Sequence, residues 1–150
     1  MNRPPCVFCE IAAGREAAGR VLHQDERTAA FLDHTAVRPG HTLVVPRFHA
    51  ADLWEISADD AAAVMRTVHR MAARIRSVFR PDGLTLFQAN RSAGWQDVFH
   101  LHVHLVPRSA GDQLTRPWTA SAKSDRELAE TALLLREDRA STLPGNRDAP

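Results

Sequence analysis

A chain of 150 residues suits one compact domain, because a chain of this size buries roughly 68–70% of the surface it would expose unfolded and needs no covalent staples. Nineteen Lys and Arg against eighteen Asp and Glu leave a formal charge of +1. No field of one sign therefore marks a nucleic-acid or membrane binder, and a small ligand is the better expectation.

No apolar run approaches the roughly 20 residues of a membrane span, and the opening "MNRPPCVFCE" lacks the apolar core of a signal peptide, so a cytosolic protein is expected. Residues 1–5 are polar, and "ASTLPGNRDAP" from Ala140 has loop composition without an apolar period. A single domain over residues 6–139, with flexible tails at 1–5 and 140–150, follows.

Cys6 and Cys9 are the only cysteines. In a reducing cytosol a Cys-x-x-Cys pair is a metal half-site or redox pair more often than a disulfide, and two buried small hydrophobes are the plain alternative. Next, "RVLHQ" and "TAAFLD", on either side of Asp25 and Glu26, read as a hairpin; "HTLVVP" after Pro39 and Gly40 reads as a buried strand stopped by Pro46. The clearest helix follows. Ser57 can cap it, Asp59 and Asp60 suit its positive end, and Val64, Met65, Val68, Met71, Ala72, Ile75, Val78 and Phe79 keep 3-and-4 spacing until Pro81. "LTLFQA" and "VFHLHVHLV" read as two further strands joined by "NRSAGWQD", and a last helix opens at Ser124 with Glu127 three residues on, a capping-box pattern. This order predicts an α+β domain, with a mainly antiparallel sheet, helices on one face, and the other face free for a site or a partner.

Within "FHLHVHLVPR", strand alternation points His100, His102 and His104 one way, and Leu101, Val103 and Leu105 into the core. Successive imidazoles then stand about 6.6 Å apart, too far to bond each other but close enough to line one substrate. Incidental histidines on a solvated face, or three ligands of one catalytic zinc, are the competing readings. The thiolates of Cys6 and Cys9 compete for any such metal, with His49 and one end of the histidine strand as further ligands. Spacing alone does not choose the partners.

"HLHVHLV" matches the alternating signature of the histidine-triad family of nucleotide hydrolases and transferases. "CVFCEIAAG", "AAFLD", "RPGHTLVVPRFH" and "WQDVFHLHVHLVPR" fall in that family's order and spacing, so the resemblance covers about residues 6–108. The chain looks most like the bacterial branch near the purine nucleoside phosphoramidases. Its third histidine is retained where the galactose-phosphate uridylyltransferase branch has Gln, and nothing resembles the DNA-binding finger of the aprataxin branch.

The resemblance implies a five-stranded antiparallel sheet with one long helix and a C-terminal helix, paired in a homodimer. It implies that His102 attacks the α-phosphorus of a purine nucleotide, with His104 and His41 on phosphate oxygens and leaving group. It implies a structural Zn2+ on Cys6, Cys9, His49 and His100. Phe8, Ile11 and Phe31 would surround the purine, and Asp33 would accept the ribose hydroxyls. His34, Asn90, Gln96 and Asp97 fall at further nucleotide-contacting positions, three of them altered. His34 stands where the family prefers an apolar residue, Asn90 lies one place from the usual amide, and Asp97 replaces a hydroxyl donor. Trp95 occupies the place of a Gly. An ionised carboxylate at position 97 cannot donate to phosphate and repels it by about 1–4 kcal/mol at 4 Å.

The function implied is hydrolysis of nucleoside phosphoramidates, acyl-adenylates or related nucleotides through a nucleotidyl-histidine. Membranes and nucleic acids are not expected partners. The alternative is a nucleotide sensor or scaffold that binds without turnover.

Overall fold

The structure is a computed structural model describing residues 6–16, 18–115 and 120–136; the expected tails lie outside these residues. The chain divides between Asp112 and Gln113 into two units. The first holds α1 (Val7–Ala12), β1 (Val21–Gln24), β2 (Thr28–Leu32), β3 (Thr42–Pro46), α2 (Ala58–Phe79), β4 (Gly83–Phe87) and β5 (Val103–Arg108). The second holds α3 (Asp125–Arg136). Among the described residues no helix is long and apolar enough to cross a membrane.

Five strands form one antiparallel sheet in the order β1-β2-β3-β5-β4. The hairpin and the buried central strand stand where the sequence put them. Every residue of β3 is buried, because both sheet faces are covered at its centre. Ala30, Val44, Val103 and Leu105 pack with Val64, Val68, Met71 and Ile75 of α2. Ala29, Phe31, Leu43 and Val45, one residue out of phase, pack with Phe8, Ile11 and Ala12 of α1. The expectation that helices occupy one face is therefore corrected. With six residues, α1 is too short for an apolar period to be legible, yet it covers part of the face expected to be free.

The Ser57 Oγ accepts the Asp60 N–H at 3.1 Å, as a cap should. At its far end α2 stops on Arg80 in the left-handed region, φ 45°. Met65, Val78 and Phe79 keep the helical period but are exposed, so the buried stripe is narrower than the apolar one. Gly40, at φ +83°, lies where a Cβ would come within 2.6 Å of the Phe79 ring. In the second unit, the Ser124 N–H donates to Glu127 Oε2 at 2.9 Å, as the capping box requires.

The last strand is shorter than expected. Pairing with β3 ends at Val44 opposite Val103, and two residues further along this register the partner is Pro46, which has no N–H to offer. The chain ahead of Val103 spends its donors elsewhere: the His100 N–H on the Val98 carbonyl and the Leu101 N–H on the Ala50 carbonyl, both at 2.8 Å. His100 and His102 therefore precede the ladder, while Leu101 and Val103 still face α2.

Candidate active site and metal cluster

Cys6 stands at the N-cap of α1 and Cys9 within its first turn, which turns both thiols toward the end of β3 and the histidine segment. The Cys6 Sγ lies 3.4 Å from His100 Nδ1, and the Cys9 Sγ lies 3.4 Å from His49 Nδ1 and 3.5 Å from His100 Nδ1. A tetrahedron with Zn–S near 2.3 Å and Zn–N near 2.0 Å has S···N edges of roughly 3.5 Å. The four ligand atoms therefore stand at zinc spacing, all within 4.8 Å of one another. His100 is 0% exposed, and its Nε2 donates to the Pro46 carbonyl at 2.8 Å, which leaves Nδ1 unprotonated toward the thiols. Both ring nitrogens of His100 are thus committed away from any site shared by three triad histidines.

His102 is 3% exposed and faces a cavity with Phe8, Ile11, Phe31, Asp33 and His104. Its Nδ1 donates to the His100 carbonyl at 2.7 Å, so the lone pair sits on Nε2. The Phe8 ring meets the imidazole edge to face at 5.2 Å. A buried, tautomer-fixed imidazole with its lone pair toward a largely apolar pocket is a nucleophile's arrangement.

The flanking histidines form a chain. The Val37 N–H donates to His41 Nδ1 at 3.3 Å, so His41 carries its proton on Nε2 and donates to His104 Nδ1 at 2.9 Å. His104 keeps its own proton on Nε2. Asp33 Oδ2 stands 3.6 Å from His41 Nε2 and 3.9 Å from His104 Nδ1. These three residues are also close enough to hold a metal, but the Val37 donor places the His41 proton where a ligand needs its lone pair. Burial pushes His104 down to about 4, helped by His102 and His41 and opposed by Asp33 and Asp97. Burial lowers His41 too, against the pull of Asp33. In Asp33 burial acts upward, but the Thr35 N–H and hydroxyl on Oδ1, with both histidines nearby, leave it below the usual carboxylate range.

His34 and Asp97 also border the cavity. His34 Nδ1 is 3.8 Å from Asp33 Oδ1, and Asp97 Oδ1 is 4.0 Å from His102 Nε2. Gln96 and Asn90 do not border it. Gln96, 4% exposed, accepts the Arg91 N–H at 2.6 Å and donates to the Ala51 and Val98 carbonyls at 2.6 and 3.0 Å. Asn90 accepts the Leu53 N–H at 2.8 Å and exchanges hydrogen bonds with Gln88. Trp95, in the place of a Gly, holds the left-handed conformation at φ 73°. The cavity wall also includes Val7, Arg20, Thr35, Leu43 and Val98. Thr35 was legible as the partner of an Asp turn in "DHT"; Arg20 gave no signal, since only the fold brings it there.

The HIT domain pattern matches residues 14–111, and the chain belongs to the histidine-triad family. "Protein hit" of Bacillus subtilis is 37% identical over 118 residues, 78% of this chain and 81% of that protein. "Adenylylsulfatase HINT3" of Arabidopsis thaliana is 30% identical over 137 residues, 87% of this chain and 68% of that protein, so the family includes hydrolases. Among solved structures, a Streptococcus mutans protein superposes with a TM-score of 0.83 at 30% identity, covering 91% of this chain and 87% of its own. A zinc-bound histidine triad family protein from Mycobacterium smegmatis superposes with a TM-score of 0.67 at 32% identity, covering 90% and 96%.

Proposed function

We propose that the protein is a cytosolic hydrolase or transferase that cleaves at the α-phosphate of purine nucleoside phosphoramidates, acyl-adenylates or related nucleotides. The observation that carries this is the His102 tautomer, with Nδ1–H on the His100 carbonyl and the Nε2 lone pair at the cavity. In the first half-reaction Nε2 bonds to phosphorus as the bond from phosphorus to the leaving group breaks, its electron pair departing with that group, which takes up a proton. In the second, water bonds to phosphorus and releases a proton to solvent, which balances the one taken up by the leaving group; the Nε2–P bond breaks with its electron pair returning to the ring, and the nucleotide leaves with that ring neutral again. His104, with its proton on Nε2, would donate to a phosphate oxygen, and His41 would hold it in that state. Phe8, Ile11 and Phe31 supply apolar walls for the purine, and Asp33 Oδ2 an acceptor for the ribose.

Cys6, Cys9, His49 and His100 would hold a structural Zn2+; four protein ligands close the coordination sphere, so this chemistry is a crosslink. A homodimer is part of the reading: β4 is an edge strand, and Leu53, Met65 and Leu86, all exposed, border one apolar cavity beside it.

Incubation with adenosine phosphoramidate, followed by phosphorus NMR, tests the reaction. AMP is expected from the wild type and not from His102→Ala. Turnover retained by that variant would sink the nucleophile assignment. Asp97, where a donor would serve phosphate better, favours one second reading, a nucleotide-binding protein without turnover; tight AMP binding with no product from phosphoramidate or adenylyl sulfate would support it.

A further inference from the structure

The loop over residues 90–97 is held firmly. Arg91 adopts φ 60°, ψ 167°, a combination that favours glycine. Its guanidinium donates to Asp52 Oδ2 at 2.9 Å and stacks on Trp54 at 4.9 Å. With the Gln96 amide bonded to three backbone groups, the loop presents the next residue, Asp97, in a fixed place. There the Val98 N–H donates to Asp97 Oδ1 at 2.9 Å, yet the side chain is 87% exposed and Oδ1 stands 4.0 Å from His102 Nε2. A phosphorus in position for attack lies about 3–3.5 Å from that nitrogen. In-line displacement puts the leaving-group atom on the far side of that phosphorus, about 5 Å from Nε2, where the field of this exposed carboxylate still acts on its charge.

Among the described residues, the other ordinarily charged side chains of the cavity wall are Asp33 and Arg20, so that part of the wall carries two carboxylates against one guanidinium. With one guanidinium against two carboxylates, the described wall is net negative and disfavours an anion at the scissile bond. A cation there is attracted instead, in a geometry open enough for a leaving group to extend past the rim.

We propose that Asp97 selects the leaving group by charge: the His102 site prefers nucleotides whose leaving group carries a cation, such as an amine with a second, protonated nitrogen, over those that expel an anion such as sulfate or polyphosphate. This rests on the phosphoramidase reading above. It concerns a residue in which this chain departs from the histidine-triad pattern.

The test uses three AMP phosphoramidates of similar size, formed from ethylenediamine, propylamine and β-alanine, whose tails are cationic, neutral and anionic. Wild-type kcat/KM should fall in that order, with cationic over anionic by at least about tenfold at low salt. The ratio should collapse toward unity in Asp97→Asn, which keeps an acceptor for the Val98 N–H, and in Asp97→Ser; circular dichroism checks that both fold. Calorimetric binding of adenosine sulfamoyl analogues with the same tails gives a readout without turnover. No turnover, with a binding preference that Asp97→Asn erases, would end the phosphoramidase reading and keep the selector. Turnover with ratios that Asp97→Asn leaves unchanged, or binding blind to charge, would overturn the selector and keep the reaction.

Discussion

His104 stands between His41 and His102, with ring centroids 5.2 and 4.9 Å away, and its burial favours the neutral ring. Its folded pKa of about 4 lies below the roughly 6.5 of an unfolded histidine. Between these values the unfolded chain binds more protons than the folded one. The stabilising contribution is therefore complete above pH ~6.5 and is lost as pH falls toward 4, with a slope approaching about 1.4 kcal/mol per pH unit. Urea unfolding at pH 7, 5.5 and 4.5 should show this decline in the wild type and a shallower one in His104→Gln; identical slopes would contradict it. Gln96 is a different case. Gln96→Ala leaves the Arg91 N–H and the Ala51 and Val98 carbonyls without this partner, and should lower stability by roughly 2–4 kcal/mol. A change in unfolding free energy below 1 kcal/mol, in the same urea series, would show that the amide is dispensable. The sequence identified Gln96 by position; that its amide would be spent on backbone depended on Ala51, 45 residues away.

A helix of six residues has almost no stability of its own, so α1 depends on Phe8, Ile11 and Ala12 in the core and on the crosslink proposed for Cys6 and Cys9. Removing zinc with a chelator should therefore speed amide hydrogen exchange across residues 7–12 and lower the melting temperature, while α2 keeps its protection. Loss of catalysis with unchanged exchange would favour a catalytic metal instead. The elements differ in legibility for physical reasons. Over 22 residues the period of α2 repeats six times behind a Ser cap, so local chemistry suffices. For α1 there is less than two turns of pattern, and the N-terminal limit of β5 was set by Pro46 on another strand.

The two edges of the sheet are unlike. β1 has four residues, one of them His23, which shares a 2.8 Å hydrogen bond with Arg70, whereas β4 presents Leu86 to solvent beside Leu53 and Met65. An unpaired edge beside apolar surface is a pairing template. Sedimentation should find a dimer for the wild type, and Leu86→Arg should move it to monomer at micromolar concentration; a monomeric wild type would remove the dimer from the proposal.

By itself the sequence determined where each strand falls along the chain, though not where β5 begins, together with the long helix, the Ser57 and Ser124 caps and the alternation that separates His100, His102 and His104 from Leu101, Val103 and Leu105, because each depends on neighbours within a few residues. Which partner each imidazole meets was decided only in three dimensions. Along the chain the three occupy equivalent alternate positions, and their partners come from elsewhere: Cys6 for His100, 94 residues away, and His41 for His104, 63 residues away. His102 alone is fixed by a close neighbour, the His100 carbonyl. Even there, its Nε2 faces an enclosed space only because α1, β2 and Asp97 border it.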